Sequence, residues 1–380
     1  MRISLIGPVF PYRGGIAHFS TLMAKKLVEA GHQIQVISFK KQYPAWLYPG
    51  ESDKDYSPNR QKVDAEYLLK PLNPTTWHKT AKAILKFQPD QVIIPWWVTF
   101  LGPAFHHIIK FLKRRGITII ALIHNTMPHE PRPWDRFLAR WTLQCADQFI
   151  VMNKNEQTRL RSLIQTTQEI TIVPHPIYCL FKPDTESTKE IKSRLSLPND
   201  KPILLFFGFI RPYKGLSVLI DALHILVNNH DEIHLIIAGE FWEPREKYEQ
   251  KISALNLTPY IHIFDRYIPD DEAAQFFTVS DLFIAPYTGG TQSGALKSAL
   301  GFGLPSVVTD IIADELVQQL PELCRTIPSN NPEALADAIL RQLSVPVLEQ
   351  KEIQTLFDRS WQTLVDAASI KVPNDHTTQT

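Results

Sequence analysis

Short apolar runs alternate with stretches of helical periodicity along nearly the whole chain. Ile3–Ile6, Gln33–Phe39, Gln91–Trp96, Ile117–His124, Gln148–Met152 and Ile170–Val173 read as buried strands. Helices are expected between most of them. Ile16, Phe19, Leu22, Met23 and Leu27 recur at helical spacing up to Gly31, and similar patterns cover Thr75–Phe87, Pro103–Arg115 and Pro133–Cys145. A second series follows, with strands at Ile203–Phe207, Leu235–Ala238, Ile261–Phe264, Leu282–Ala285 and Ser306–Thr309. Its helices are expected at Leu216–Asn228, Arg245–Leu255, Asp271–Val279, Gly294–Phe302 and Pro332–Leu343. Strand–helix repetition of this kind predicts an α/β protein with parallel, doubly wound sheets. A helical stretch from about Leu348 to Ala368, with Trp361, closes the pattern, and the polar tail VPNDHTTQT is expected to be disordered.

Pro174, Pro176 and Pro183 punctuate VPHPIYCLFKP, which marks an inter-domain hinge. The expected division is residues 1–177, residues 178–349, a C-terminal helix at about 350–370 and a tail at 371–380. Two Rossmann-like halves facing each other would direct the loops after their strands to a shared cleft.

The stretch LFIAPYTGGTQSGALKSALGFGLPSVVTD, Leu282 to Asp310, reads as strand, glycine-rich loop, helix and strand. Ser293 is placed to cap a helix that ends near Gly303. A helix N-terminus after a parallel strand offers an anion free N–H groups and a positive dipole end. Another such loop, in GFIRPYKGLSVLIDAL, carries Arg211 and Lys214, with Gly215 permitting close approach. The two loops together suggest a diphosphate clamp. There is no GxGxxG, so the nicotinamide and flavin fingerprint is missing.

Composition narrows the class. The chain has 380 residues, 44% hydrophobic and 21% charged, as expected of a soluble globular protein with room for two domains. No apolar run is long enough for a membrane span, and MRISLIGPVF is too soon interrupted for a signal peptide. Cys145, Cys179 and Cys324 are odd in number and scattered, which suits a reducing cytoplasm rather than a disulfide framework or a zinc site. The net charge of +1 conceals a split. Residues 1–177 hold 23 Lys and Arg against 12 Asp and Glu, and residues 178–380 hold 17 against 27. Either the first half faces something anionic, or the charges are distributed by chance over solvated faces.

These motifs, taken in order, resemble the retaining glycosyltransferases of family 4. The matching pieces are Gly14–Gly15 in PYRGGIAHF, GHQIQVISF, His124 in ALIHN, the hinge VPHPIYCLFKP, FFGFIRPYKG, IIAGE, and DLFIAPY with GALKSALGFGLPSVVTD. The resemblance covers nearly the whole chain. It implies the GT-B fold, two Rossmann-like doubly wound domains facing a central cleft, with the C-terminal helix packing back on the N-terminal, acceptor-side domain. It also implies transfer of a hexose, with retention, from a UDP- or GDP-linked sugar to an acceptor hydroxyl, with no other cofactor and no metal. The acceptor would be lipid-linked or a polysaccharide precursor.

Roles carry over by resemblance. His124, Arg211 and Lys214 would act in catalysis, the cations on the leaving phosphate and His124 on the sugar. Gly14, Gly15, Gly215, Gly290 and Gly294 would bring backbone close to the donor. Arg266, Tyr267 and Ile268 would flank the base, and Glu240 would lie beside the nucleotide. The chain departs from the family where most relatives carry two glutamates with seven residues between them, because those positions are Gly289 and Lys297. Gln292 and Ser293 could supply sugar or phosphate hydrogen bonds instead, and Lys297 a contact to phosphate or water. The departure keeps a catalytically silent scaffold as the alternative. A nucleotide-sugar epimerase is disfavoured, since it needs those carboxylates.

HNTMPHE groups His124, His129 and Glu130, but Pro128 and Pro131 interrupt the helix a metal site would need. RPWDRFLARWTLQCA reads either as an amphipathic helix packing its Leu and Trp residues or as a basic aromatic face resting on anionic lipid, a peripheral location on the inner face of the membrane. No nucleic-acid-binding motif accompanies that charge.

Overall fold

The structure is a computed structural model that describes residues 1–44, 52–56, 60–128, 131–178, 186–229 and 232–370. Thus Cys179 and the end of the proline-punctuated segment, His129, Glu130 and the tail 371–380 lie outside the described residues. Of the described residues, those up to 174 and from 360 onward form one compact unit, and those from 175 to 359 form another.

The first unit runs β1 (Arg2–Ile6), α1 (Gly15–Glu29), β2 (Gln33–Phe39), β3 (Glu66–Leu69), α2 (Pro74–Phe87), β4 (Gln91–Trp96), α3 (Gly102–Lys113), β5 (Thr118–Ile123), α4 (Asp135–Leu143), β6 (Gln148–Val151), α5 (Lys154–Ile164) and β7 (Ile170–Ile172). Its sheet has the order β3-β2-β1-β4-β5-β6-β7, with every pairing parallel. Helices cover a parallel sheet on both faces, which is why its central strands are continuous apolar runs rather than alternating ones. Ile93, Ile120 and Leu122 are fully buried accordingly.

The second unit contains α6 (Thr188–Arg194), β8 (Ile203–Phe207), α7 (Leu216–Asn228), β9 (His234–Ala238), α8 (Glu246–Ala254), β10 (Ile261–Phe264), α9 (Asp270–Val279), β11 (Leu282–Ala285), α10 (Gly294–Gly301), β12 (Ser306–Thr309), α11 (Glu315–Gln318), β13 (Cys324–Ile327) and α12 (Pro332–Gln342). Its sheet order is β10-β9-β8-β11-β12-β13, again parallel throughout. Both sheets reverse strand order beside their first strand, the arrangement that leaves an open crevice at the strand C-termini.

A final helix, α13 (Gln350–Ala368), is shared between the units. In the second, Ile353 packs where Gly303 has no side chain. In the first, Trp361 is fully buried 5.5 Å from the Phe19 ring, and Gln91 Nε2 donates to the Ala368 carbonyl. The expected strands and helices are present, with boundaries moved by a residue or two. Pattern reading passed over β3, β13, α5, α6 and the four-residue α11. The two strands lie at sheet edges, where half-exposure interrupts the apolar run. Helix α5 buries few apolar residues, chiefly Leu160, Leu163 and Ile164.

Candidate functional site

In the second unit the strand order reverses between β8 and β11, so the loops after those strands border the crevice. They are the two loops that carry the sequence candidates. The β8 loop runs from Gly208 through Arg211 and a short 3₁₀ turn, Pro212–Lys214, into α7. Gly215 makes that entry possible. It has φ +74°, and a Cβ there would lie 1.9 Å from the Pro286 carbonyl oxygen. The β11 loop is tied to the β8 loop by Thr288, whose N–H donates to Tyr213 O at 2.7 Å. Ser293 then caps α10, accepting from Leu296 N at 3.1 Å, with Tyr287 Oη 3.0 Å from its hydroxyl. Tertiary packing therefore gathers Arg211, Lys214, Gly215, Gly290, Gln292, Ser293 and Gly294 onto adjoining loops.

The electrostatics of the pair are unusual. Lys214 is only 8% exposed, with Nζ 5.7 Å from the centre of the Tyr287 ring. Burial brings its pKa down to about 7, and the nearby Arg211 charge pushes the same way. Arg211 lies over the Trp242 ring, 4.4 Å from its centre. Among the described residues, neither cation meets a carboxylate. Folding has placed two cationic side chains near each other with no acid among the described residues to offset them, a combination that favours an anionic ligand.

The loop after β9 joins the same edge. Gly239, at φ +146°, is so close to the β8 loop that a Cβ would lie 2.2 Å from Gly208 O. Glu240 follows, its carbonyl accepting from Ile210 N at 2.9 Å. Beyond β10, Arg266 is engaged by Glu272, one contact at 2.7 Å, and Tyr267 is half-buried. Ile268 differs from expectation. It is buried in the core with Phe276 and Ala273, because it is the apolar residue that anchors the start of α9. A side-chain contact from Ile268 to a base is therefore not what its packing provides.

Lys297 also differs. Its side chain is 1% exposed and pairs with Asp314 Oδ2 at 2.6 Å. Asp314 in turn accepts from Val317 N at 3.1 Å and so caps α11. The ammonium is committed to an internal ion pair rather than to the free contact expected of it. One turn of helix carries position 297 away from the α10 N-terminus to the side that packs on α11. Gly289, at the other departing position, has Tyr213 as its nearest side-chain neighbour, 3.4 Å from an added Cβ.

The remaining candidates belong to the first unit. Gly14, at φ +95°, caps α1, and Gly15 begins it. His124 follows β5 and is fully buried, its ring edge-on to Phe19 at 4.5 Å. No group of three or more His, Cys, Asp or Glu side chains suited to a metal occurs among the described residues. Sequence reasoning missed Tyr287, Trp242, Phe209 and Asp314. Only proximity to a strand end could have flagged the first two, and nothing local marks Asp314 as a partner for a lysine 17 positions earlier.

Comparison with known proteins is consistent with this arrangement. Residues 13–179 match the Glycosyltransferase Family 4 model and residues 201–344 match the Glycosyl transferases group 1 model. A phosphatidyl-myo-inositol mannosyltransferase of Mycobacterium leprae is 29% identical over 154 residues, covering 40% of this chain and 40% of the relative. A GDP-mannose:glycolipid 4-beta-D-mannosyltransferase of Xanthomonas campestris pv. campestris is 27% identical over 223 residues, 55% of this chain and 56% of the relative. The chain thus spans about half, or less, of the length of these curated relatives. Among solved structures, Anabaena Alr3699/HepE in complex with UDP-glucose superposes with a TM-score of 0.70 at 15% identity, covering 97% of this chain and 100% of that one. Sucrose-phosphate synthase (tll1590) from Thermosynechococcus elongatus gives 0.69 at 17% identity, covering 97% and 98%. At such identities the superpositions establish the GT-B fold.

Proposed function

From a chain that carries a family 4 domain followed by a group 1 domain of the GT-B glycosyltransferases, we propose an enzyme that moves a hexose from a nucleoside-diphosphate sugar to an acceptor hydroxyl, with retention. The observation that carries this reading is the cation couple, Arg211 and Lys214, at the strand-order reversal of the second unit, which meets no carboxylate among the described residues. As the bond from the anomeric carbon to the phosphate oxygen breaks, negative charge grows on the leaving diphosphate. Fixed donors aimed there stabilise the transition state more than the ground state. The amides at the α7 and α10 N-termini add to the field. In this reading the two cations take the place that a metal ion fills in other diphosphate sites. In the first unit, the resemblance assigns Gly14 and Gly15 to the diphosphate and His124 to the sugar.

For the acceptor we propose a lipid-linked glycan at an anionic membrane surface. Two curated relatives are described as acting on phosphatidyl-myo-inositol and on a glycolipid. Here the supporting feature is the surface of α4 and the residues just before it, where Trp134 and Phe137 are 55% and 66% exposed and Arg132, Arg136 and Arg140 are exposed as well. No helix among the described residues is long and apolar enough to cross a membrane.

Calorimetric titration with UDP and GDP, with and without EDTA, tests the donor site. Saturable binding of one base in EDTA is expected, followed by turnover of the corresponding sugar nucleotide with glycolipid vesicles. Failure of both nucleotides to bind would sink the reading. Binding with no turnover would favour the silent scaffold, which Gly289 and Lys297 in place of carboxylates make the second reading.

A further inference from the structure

The β8 and β9 strands continue their pairing past their formal ends. Gly208 N donates to Ala238 O at 2.9 Å, Ile210 N to Glu240 O at 2.9 Å and Trp242 N to Ile210 O at 3.0 Å. In this extended backbone, alternate residues share a face. Ile210 is fully buried in the core, so Phe209 and Arg211 both point the other way, toward Trp242 on the neighbouring segment. Phe209 stacks on Trp242 at 4.3 Å with 28° between planes, and the Arg211 guanidinium lies 4.4 Å from the centre of the indole.

We propose that Trp242, braced by Phe209, is a positioning residue that holds Arg211 ready for the leaving diphosphate. Stacking on an indole uses the flat face of the guanidinium and leaves its in-plane N–H donors at the edge, where phosphate oxygens bind. It also restricts a long side chain before the ligand arrives, so less freedom is lost on binding. A carboxylate could hold Arg211 as well, but it would neutralise the charge the site requires. An aromatic ring holds it without doing so.

The inference rests on the diphosphate reading above, and the test separates the two. Nucleotide affinity is measured for the wild type, Trp242→Phe, Trp242→Ala, Phe209→Leu, Arg211→Ala and the Trp242→Ala/Arg211→Ala pair. Trp242→Ala should weaken binding about tenfold. Trp242→Phe should recover most of that, and Phe209→Leu should cost a few-fold. The double variant should bind no more weakly than Arg211→Ala alone, since Trp242 acts through the arginine. Additive losses, or a Phe variant as poor as the Ala variant, would overturn the proposal while leaving the donor site intact. So would full affinity in Trp242→Ala. A wild type that binds no nucleotide would overturn both. Phe209→Leu and Trp242→Phe keep the question answerable if the alanine variant does not fold.

Discussion

Within the proposed donor site Lys214 is the residue most sensitive to pH, because it is buried. In the ligand-free protein its pKa lies near 7, depressed first by burial and then by Arg211. The other titratable groups around it are the Tyr287 phenol, from the β11 loop, and Tyr213, whose ring is 5.8 Å from that of Tyr287. A bound diphosphate favours the charged ammonium and raises its pKa. Affinity should therefore be full below about pH 7 and fall as pH rises through that value, with a proton taken up on binding at pH 8. Titrations between pH 6 and 9 in buffers of different ionisation enthalpy would show it, and a flat profile would place Lys214 away from the anion. The same depression acts on folding with the opposite slope. Between about pH 7 and the unfolded value near 10.4 the unfolded chain binds more protons, so this group makes stability rise with pH. Arg211→Ala should weaken nucleotide binding about 10- to 100-fold, by loss of charge-assisted hydrogen bonds. Arg211 and Lys214 were legible as cations beside a glycine at a helix start. Their lack of a carboxylate partner was not, since that depends on every element packed around them.

At the scale of elements, position 297 shows how a helix face decides a residue's fate. Lys297 sits in α10 at the position where the resemblance leads one to expect glutamate, and the fold pairs it with Asp314 at the start of α11. Asp314→Asn keeps the cap but leaves a buried ammonium without a counter-charge, which should cost ~3 kcal/mol in urea denaturation. Adding Lys297→Met should restore most of it. Lys297→Glu, which returns the usual residue, would place two carboxylates side by side and should destabilise by a similar amount; a neutral outcome would mean that the pair is not formed. Gly215→Ala should be worse tolerated than a surface change, because the Pro286 carbonyl occupies the place of the new Cβ. A loss of several degrees in Tm is the expected reading. The periodic pattern revealed α10, α7 and the strands before them. The contact between the β8 and β11 loops was invisible, because 70 or more residues separate Tyr213 from Thr288 in the chain.

For the whole molecule, charge is distributed by unit rather than by sum. The net charge of +1 says little, but in the first unit α3 carries Lys110 and Lys113, the turn after it Arg114 and Arg115, and α4 Arg136 and Arg140 on either side of exposed Phe137 in the sequence. Binding to vesicles containing anionic lipid is expected at low salt and should fade as the Debye length shortens. Replacing Arg132, Arg136 and Arg140 by alanine should reduce partitioning about 100-fold, at roughly 1 kcal/mol per cation near the surface. Equal partitioning of the variant, or of the wild type onto neutral vesicles, would remove the membrane from the account. By itself the sequence determined the alternation of strands and helices, hence two parallel sheets, because each element's period is written in its own residues. It also determined which loops carry cations and glycines. Only the tertiary structure decided that Lys297 is spent on Asp314, that Ile268 belongs to the core, and that Arg211 rests on an indole. Those outcomes depend on which distant residue arrives opposite, and a local pattern holds no record of that.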